Sequence, residues 1–406
     1  VQRLIPVFEY FVKTKRSYTS LILFQKNFGR ERQEYSLMTV DFAPVQLSQE
    51  TKTSVKPGFP SVGIAGSGEQ MLAMACYLSG RGYPVQVLDW QNKNGVSSVR
   101  AEGAICGQYD SQSLSLNADQ LLSNCAHLII VSPPSTYKEL AWSLSPWMRA
   151  KHTVLLYGGG IGACLEFEKY LLVNGVAGVR VAEFDPIFHC QRQNHATIKV
   201  HAIRQWGQFA STNPGSTFDC DAVVKRLLPK MEAASNLLRR GLCEYQTIVY
   251  PVLEAFGADA EMGAALSELV NTVSGRSEDV YSHIESELNV IADAYSTERI
   301  STRQNIQRMY GAIASSPAEA VAMVPKYGQA APWQDMVKTL AETISTVYVP
   351  LYELSRLANL RTPAIDSVIN MSAVMCGVDF LTHGRTLSKM GLQGLSHREI
   401  VRKLNG

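Results

Sequence analysis

Apolar positions along the chain follow two rhythms. From residue 62 to about 220, short continuous apolar runs alternate with segments of helical period, and beyond that only the helical period remains. The first run, Val62-Gly63-Ile64-Ala65, leads into Gly66-Ser67-Gly68. A helical pattern follows, with Met71, Leu72, Ala75 and Leu78 on one face, and Gly80 and Gly82 stop it. Val85–Leu88 reads as the next strand. Further strand patterns cover His127–Ser132, Thr153–Tyr157 and Val179–Glu183, with helical patterns over Tyr137–Met148 and Glu166–Val173 between them. Ile198–Ile203 and Gln208–Thr212 read as antiparallel strands closing this part. From about Asp221 the segments 221–240, 243–256, 259–273, 277–295, 299–313, 333–358 and 364–381 all carry helical periodicity.

Strand, glycine turn, helix, strand and acid in that order define a βαβ unit of dinucleotide-binding type. Gly66 permits the tight turn, and Gly68 lets the backbone approach a pyrophosphate at the helix N-terminus. Asp89 stands 21 residues after Gly68, at the end of the second strand. A carboxylate there accepts from both ribose hydroxyls and repels a 2′-phosphate, so NAD is favoured over NADP. The strand ends at 66, 89, 132 and 157 are expected on one carboxyl edge, which adds Ser67 and Pro133 to the candidate cofactor contacts. Met71 occupies the position where a small third residue normally lets helix and strand pack closely. A Rossmann fold that no longer holds a nucleotide is therefore the alternative. The run Gly158-Gly159-Gly160-Ile161-Gly162 suits either close approach to a ligand or a flexible turn.

The expected fold class is α/β, with an N-terminal Rossmann-type domain over 60–240 and an all-α domain over 241–406, and the active site in the cleft between them. Residues 1–59 read as a poorly ordered N-terminal extension and linker. Residues 1–37 carry seven Lys or Arg against three Glu, a balance that also suits a transit peptide, and Met38 reads as an alternative start. A net charge of +2 points to no polyanionic partner and no nucleic acid. No stretch approaches the ~20 apolar residues of a membrane helix. The eight cysteines show no metal-ligand spacing and read as reduced core thiols of a cytoplasmic protein, with no metal site expected.

Several landmarks, in order, resemble the octopine/nopaline (opine) dehydrogenase family over roughly residues 60–400. They are the turn Gly66–Gly68, the strand followed by proline at 128–134 and the glycine run before a helix at 158–166. The acid-containing strand VAEFDPIFHCQR at 181–192 comes next. Ala331-Pro332 through Leu340-Ala341-Glu342 resembles the family's AP-x₅-RYLxED stretch. Thr362-Pro363-Ala364-Ile365-Asp366 and Gly384-Arg385-Thr386-Leu387 resemble its C-terminal landmarks.

The resemblance implies a helical domain of the 6-phosphogluconate dehydrogenase-like kind. It also implies NAD(P)H-dependent reduction of an imine formed from an amino acid, or amine, and a 2-keto acid, with a homodimer as a candidate assembly. The family's His in N-x₃-HP pairs with the Asp of RYLxED, whose Arg contacts a substrate carboxylate. Here Tyr250 stands in place of that His and Gln246 in place of the Asn; Lys338 replaces the Arg and Thr343 the Asp, and Glu342 is kept. A phenol with an ordinary pKa of ~10 can donate a proton to a developing amine, and a nearby ammonium such as Lys338 would lower that pKa.

Tyr250 and Lys338 are accordingly the catalytic candidates, with Gln246, Glu342 and Thr343 as substrate contacts. The competing readings are a core tyrosine and a solvated helix lysine. His189, just after the 179–183 strand, is a further imidazole that could face the cofactor edge. Arg192 is offset by two residues from the expected family position. The rival to an enzyme is a catalytically inactive homologue that binds a nucleotide or metabolite, or acts as a scaffold.

Overall fold

The computed structural model describes residues 11–14, 17–20, 58–90, 98–110, 117–244, 276–311, 313–315, 320 and 333–406. Phe11–Thr14 (β1) and Ser17–Ser20 (β2) pair as an antiparallel hairpin inside the stretch expected to be poorly ordered.

The remaining strands and the first helices follow as Val62–Gly66 (β3), Gly68–Gly80 (α1), Val85–Asp89 (β4), Ser98–Gly103 (β5), Gly107–Asp110 (β6) and Ala118–Asn124 (α2). His127–Val131 (β7), Tyr137–Leu144 (α3), Thr153–Tyr157 (β8), Ala163–Val173 (α4), Arg180–Phe184 (β9) and Phe188–Arg192 (β10) come next. Thr197–Ile203 (β11), Gly207–Ser211 (β12), Pro214–Leu227 (α5), Met231–Ala233 (β13) and Leu237–Cys243 (α6) complete this part. The described C-terminal region is helical: Arg276–Ala294 (α7), Thr302–Tyr310 (α8), Trp333–Thr343 (α9), a π-helical turn at Ile344–Tyr348, Val349–Leu357 (α10), Pro363–Cys376 (α11), Phe380–His383 (α12) and His397–Asn405 (α13).

Seven strands form one sheet in the order β13-β12-β9-β8-β7-β3-β4. β4, β3, β7, β8 and β9 are parallel, so the ends of the four expected strands do share one carboxyl edge. β3 lies between β4 and β7, which makes its carboxyl end the switch point of the topology. The fold is the expected Rossmann-like α/β arrangement followed by helices.

Two readings of the pattern change. Gln208–Thr212 does close the sheet, as β12 antiparallel to β9. Ile198–Ile203 instead joins a second sheet, β10-β11-β5-β6, whose short strands carry only one or two buried positions each and give little apolar signal. This small sheet packs on α1 opposite the large one. It explains why Ala73, Met74 and Cys76 are buried along with the expected face of that helix. Met71 is fully buried in the same core as Val62 and Ile64, so the bulkier residue is accommodated between layers. The expected helix over 221–240 is interrupted by β13, which pairs parallel with β12. The expected helices over 243–256 and 259–273 lie outside the described residues, apart from 243–244.

Candidate functional site

The glycine turn after β3 is built by close approach. Gly66 has φ 151°, and a Cβ there would lie 1.8 Å from the Val131 carbonyl oxygen. Ser67 N–H donates to that oxygen at 3.0 Å, and Trp90 N–H donates to the Gly66 carbonyl at 2.7 Å. The turn is thereby sewn to β7 on one side and to the end of β4 on the other. Gly68 has φ 83° and opens α1, with nothing within 4 Å of where its Cβ would stand. Ser67 makes no side-chain cap. The first turn of α1 therefore presents backbone donors beside open space, a cradle that fits a pyrophosphate. Asp89 is in register with Gly66 one strand away. Pro133 is exposed two residues beyond Val131, which pairs with Gly66 from the other side. Gly66, Ser67, Gly68, Asp89 and Pro133 thus lie along one edge of the sheet.

The glycine run after β8 is held by its surroundings. Gly158, Gly159, Gly160 and Gly162 all have positive φ, a conformation open mainly to glycine. Their turn is gripped by two buried arginines. Arg385 donates from Nη1 to the carbonyls of Gly159 (2.5 Å) and Ile161 (3.0 Å), and from Nε to Glu166 (2.6 Å). Arg240 donates to the Gly160 carbonyl (2.5 Å), to Glu183 (2.8 Å) and to Asp185 (2.9 Å). Glu183 and Asp185 are the acids of the VAEFDP landmark, and both are fully buried. Burial pushes the Asp185 carboxyl up from its ordinary value, with Arg240 pulling against it. Glu183, Asp185 and Arg385 of the landmarks, together with Arg240 of α6, thus frame the glycine turn. Sequence reasoning placed the landmarks but missed this pairing, because the partners are 55 to 219 residues apart in the chain.

From the helical side, Glu342 near the end of α9 accepts from Ser135 N–H and Oγ–H, each at 3.3 Å, just beyond Pro133. Burial raises its pKa, the Ser135 hydrogen bonds opposing the shift. Thr343 turns its hydroxyl back to the Thr339 carbonyl at 2.8 Å. Lys338, one helical turn before Glu342, is exposed. The π-helical turn begins directly after Thr343, and its Thr346 carbonyl accepts from Ile161 N–H at 2.9 Å. Such turns are frequent at functional sites. Tyr250 and Gln246 lie outside the described residues. Glu244 is held by a two-point ion pair with Arg204 at 2.8 and 3.3 Å. His189 lies on β10 and shares a 2.6 Å hydrogen bond with Tyr310 of α8. Burial, with Arg204 and His201 adding to it, lowers its pKa from 6.5 to about 3. It is a neutral imidazole already engaged with a phenol. Arg192 lies exposed on the same strand.

No family model matches the chain. A curated relative named opine dehydrogenase, from Arthrobacter sp. (strain 1C), is 26% identical over 343 residues, covering 82% of this chain and 95% of the relative. An octopine dehydrogenase structure with NADH and agmatine superposes with a TM-score of 0.66 at 13% identity, covering 84% of this chain and 98% of that one. A yersinopine dehydrogenase with NADP+ bound gives 0.61 at 10% identity, covering 85% and 99%. A 2-dehydropantoate 2-reductase from Methylococcus capsulatus gives 0.54 at 13%, covering 78% and 96%. The structural likenesses are of fold. The resemblance to opine dehydrogenases carried by the sequence landmarks thus extends to a curated relative and to the whole architecture. Among the described residues no helix is long and apolar enough to cross a membrane, and no cluster of metal-ligating side chains occurs.

Proposed function

We propose that the chain is an NAD(P)-dependent oxidoreductase of opine dehydrogenase type, reducing the imine formed from an amino acid, or amine, and a 2-keto acid. The observation that carries the reading is the pairing of two features on one sheet edge. The Gly66–Gly68 cradle lies beside Asp89, and two strands further on the glycine turn after β8 is gripped by the helical region. The curated relative supports the reaction class.

In this reading Gly66, Ser67 and Gly68 hold the pyrophosphate, Asp89 the adenosine ribose, and Pro133 borders the nicotinamide half. The bound dinucleotide supplies the hydride. The chain's own residues supply the rest. Tyr250 donates the proton to the developing amine nitrogen, Lys338 holds a substrate carboxylate, and Gln246, Glu342 and Thr343 complete the substrate contacts. Burial holds the Glu342 carboxyl above its ordinary range, which favours its protonated form.

A second reading, a homologue that binds a nucleotide or metabolite without turnover, is favoured by one observation. Tyr250 and Thr343 stand where the family's His and Asp belong. The deciding experiment measures NADH binding, then NADH oxidation with a panel of amines and 2-keto acids. Binding with turnover supports the first reading. Binding without turnover across the panel supports the second.

A further inference from the structure

We infer that Arg385 is a positioning residue for the nicotinamide half of a bound dinucleotide, an inference that rests on the cofactor reading above. The sheet order sets the direction of the ligand. Asp89 ends β4 on one side of the cradle and takes the adenosine ribose, so the second mononucleotide runs the other way, over the carboxyl ends of β7 and β8. From β3 to β8 is two strand spacings, about 10 Å. The backbone it meets there is the turn 158–162.

That turn contains four glycines with positive φ and would by itself be loose. Arg385 removes the looseness. The residue is 2% exposed, comes from more than 220 residues further along the chain, and its guanidinium takes the carbonyls on both sides of Gly160. A trans peptide sets its C=O and N–H on opposite sides, so the same bonds turn the N–H groups of Gly160 and Gly162 away from the guanidinium. The turn is also packed on its other flanks. A Cβ on Gly159 would lie 2.5 Å from Tyr137 Oη, and one on Gly160 would lie 2.5 Å from the Thr346 carbonyl. Glu166, in the first turn of α4, fixes the guanidinium itself through Nε. With Arg240 on the Gly160 carbonyl between them, the two bonds of Arg385 to Gly159 and Ile161 let a side chain of the helical region hold the backbone at the end of β8. It does not touch the cradle at Gly66–Gly68.

A positioning role separates the two halves of the cofactor, whereas a purely structural role does not. The test uses the full chain and two probes, NADH and ADP-ribose, which lacks the nicotinamide. Arg385→Lys keeps the charge but cannot hold two carbonyls with a planar fork. NADH affinity is expected to fall by about tenfold or more and ADP-ribose affinity to stay within about twofold. The fluorescence enhancement of the bound reduced nicotinamide should shrink. If Arg385→Lys gives no cooperative melt, Glu166→Gln, which weakens the hold on Nε, should show the same selective loss to a smaller degree. Equal weakening of both probes, or of neither, overturns the positioning role while ADP-ribose binding by the unaltered chain leaves the cofactor reading in place. Absence of binding of either probe to the unaltered chain overturns both.

Discussion

Tyr157 Oη, at the end of β8, donates to Gln70 Oε1 in the first turn of α1 at 2.7 Å, and accepts from the N–H groups of Ile187 and Phe188 at 3.1 and 3.2 Å. One hydroxyl thus joins α1, the strand that leads into the glycine run and the start of β10. Tyr157→Phe keeps the ring stacked on Phe188 but strips two buried N–H groups of their acceptor. The expected cost is about 1–3 kcal/mol of stability, read from denaturant unfolding. NADH affinity should fall severalfold because the first turn of α1 loses its tether. An unchanged unfolding midpoint would show that the hydroxyl carries no such role.

In the proposed function, Asp89 is expected to favour NADH over NADPH. A carboxylate facing a 2′-phosphate is expected to cost at least ~1.4 kcal/mol, a tenfold preference for NADH. Asp89→Ala should raise NADPH affinity relative to NADH. Titration of the unaltered protein with both, giving equal or tighter NADPH binding, contradicts the assignment.

His189 predicts an acid-sensitive step in stability. Its pKa is lowered in the fold to about 3 from an ordinary 6.5. The neutral form is the one the fold favours, so the contribution is complete above pH 6.5 and is lost as the pH falls towards 3. Each pH unit in that window removes up to about 1.4 kcal/mol. His189→Gln, which can still bond Tyr310, should flatten the dependence by close to one proton when unfolding free energies are compared between pH 4 and 7. Parallel curves for the two proteins would contradict the burial argument.

Much of the fold is legible in the chain because long-range order coincides with local pattern. β3, β4, β7, β8 and β9 are apolar runs, and Gly66, Gly68 and Asp89 sit at fixed offsets from them. Two things escape local reading. The second sheet is built from strands such as Ser98–Gly103, where only Val99 and Ala101 are buried, so its alternation is too short to stand out. The arginine network escapes because charged residues are ordinarily solvated. Nothing in the neighbours of Arg240 or Arg385 announces that each is fully buried against carboxylates and backbone carbonyls. The glycine run is the one signal that points there. Four glycines in five residues mark a turn where Tyr137, Thr346 and Met390 leave no room for a Cβ at Gly159, Gly160 and Gly162, and the arginines bond its carbonyls.

The most direct test of the proposed function is NADH consumption by the full chain with an amine and a 2-keto acid, comparing the unaltered protein with Tyr250→Phe. The substitution removes a hydroxyl and keeps a ring. Positioned acid catalysis is typically worth about 10²–10⁴-fold. Turnover is predicted in the unaltered protein, with a fall of that size in the variant and NADH affinity and melting temperature nearly unchanged. No turnover across the panel, with Tyr250→Phe altering stability alone, would contradict the enzyme reading and leave a nucleotide-binding homologue.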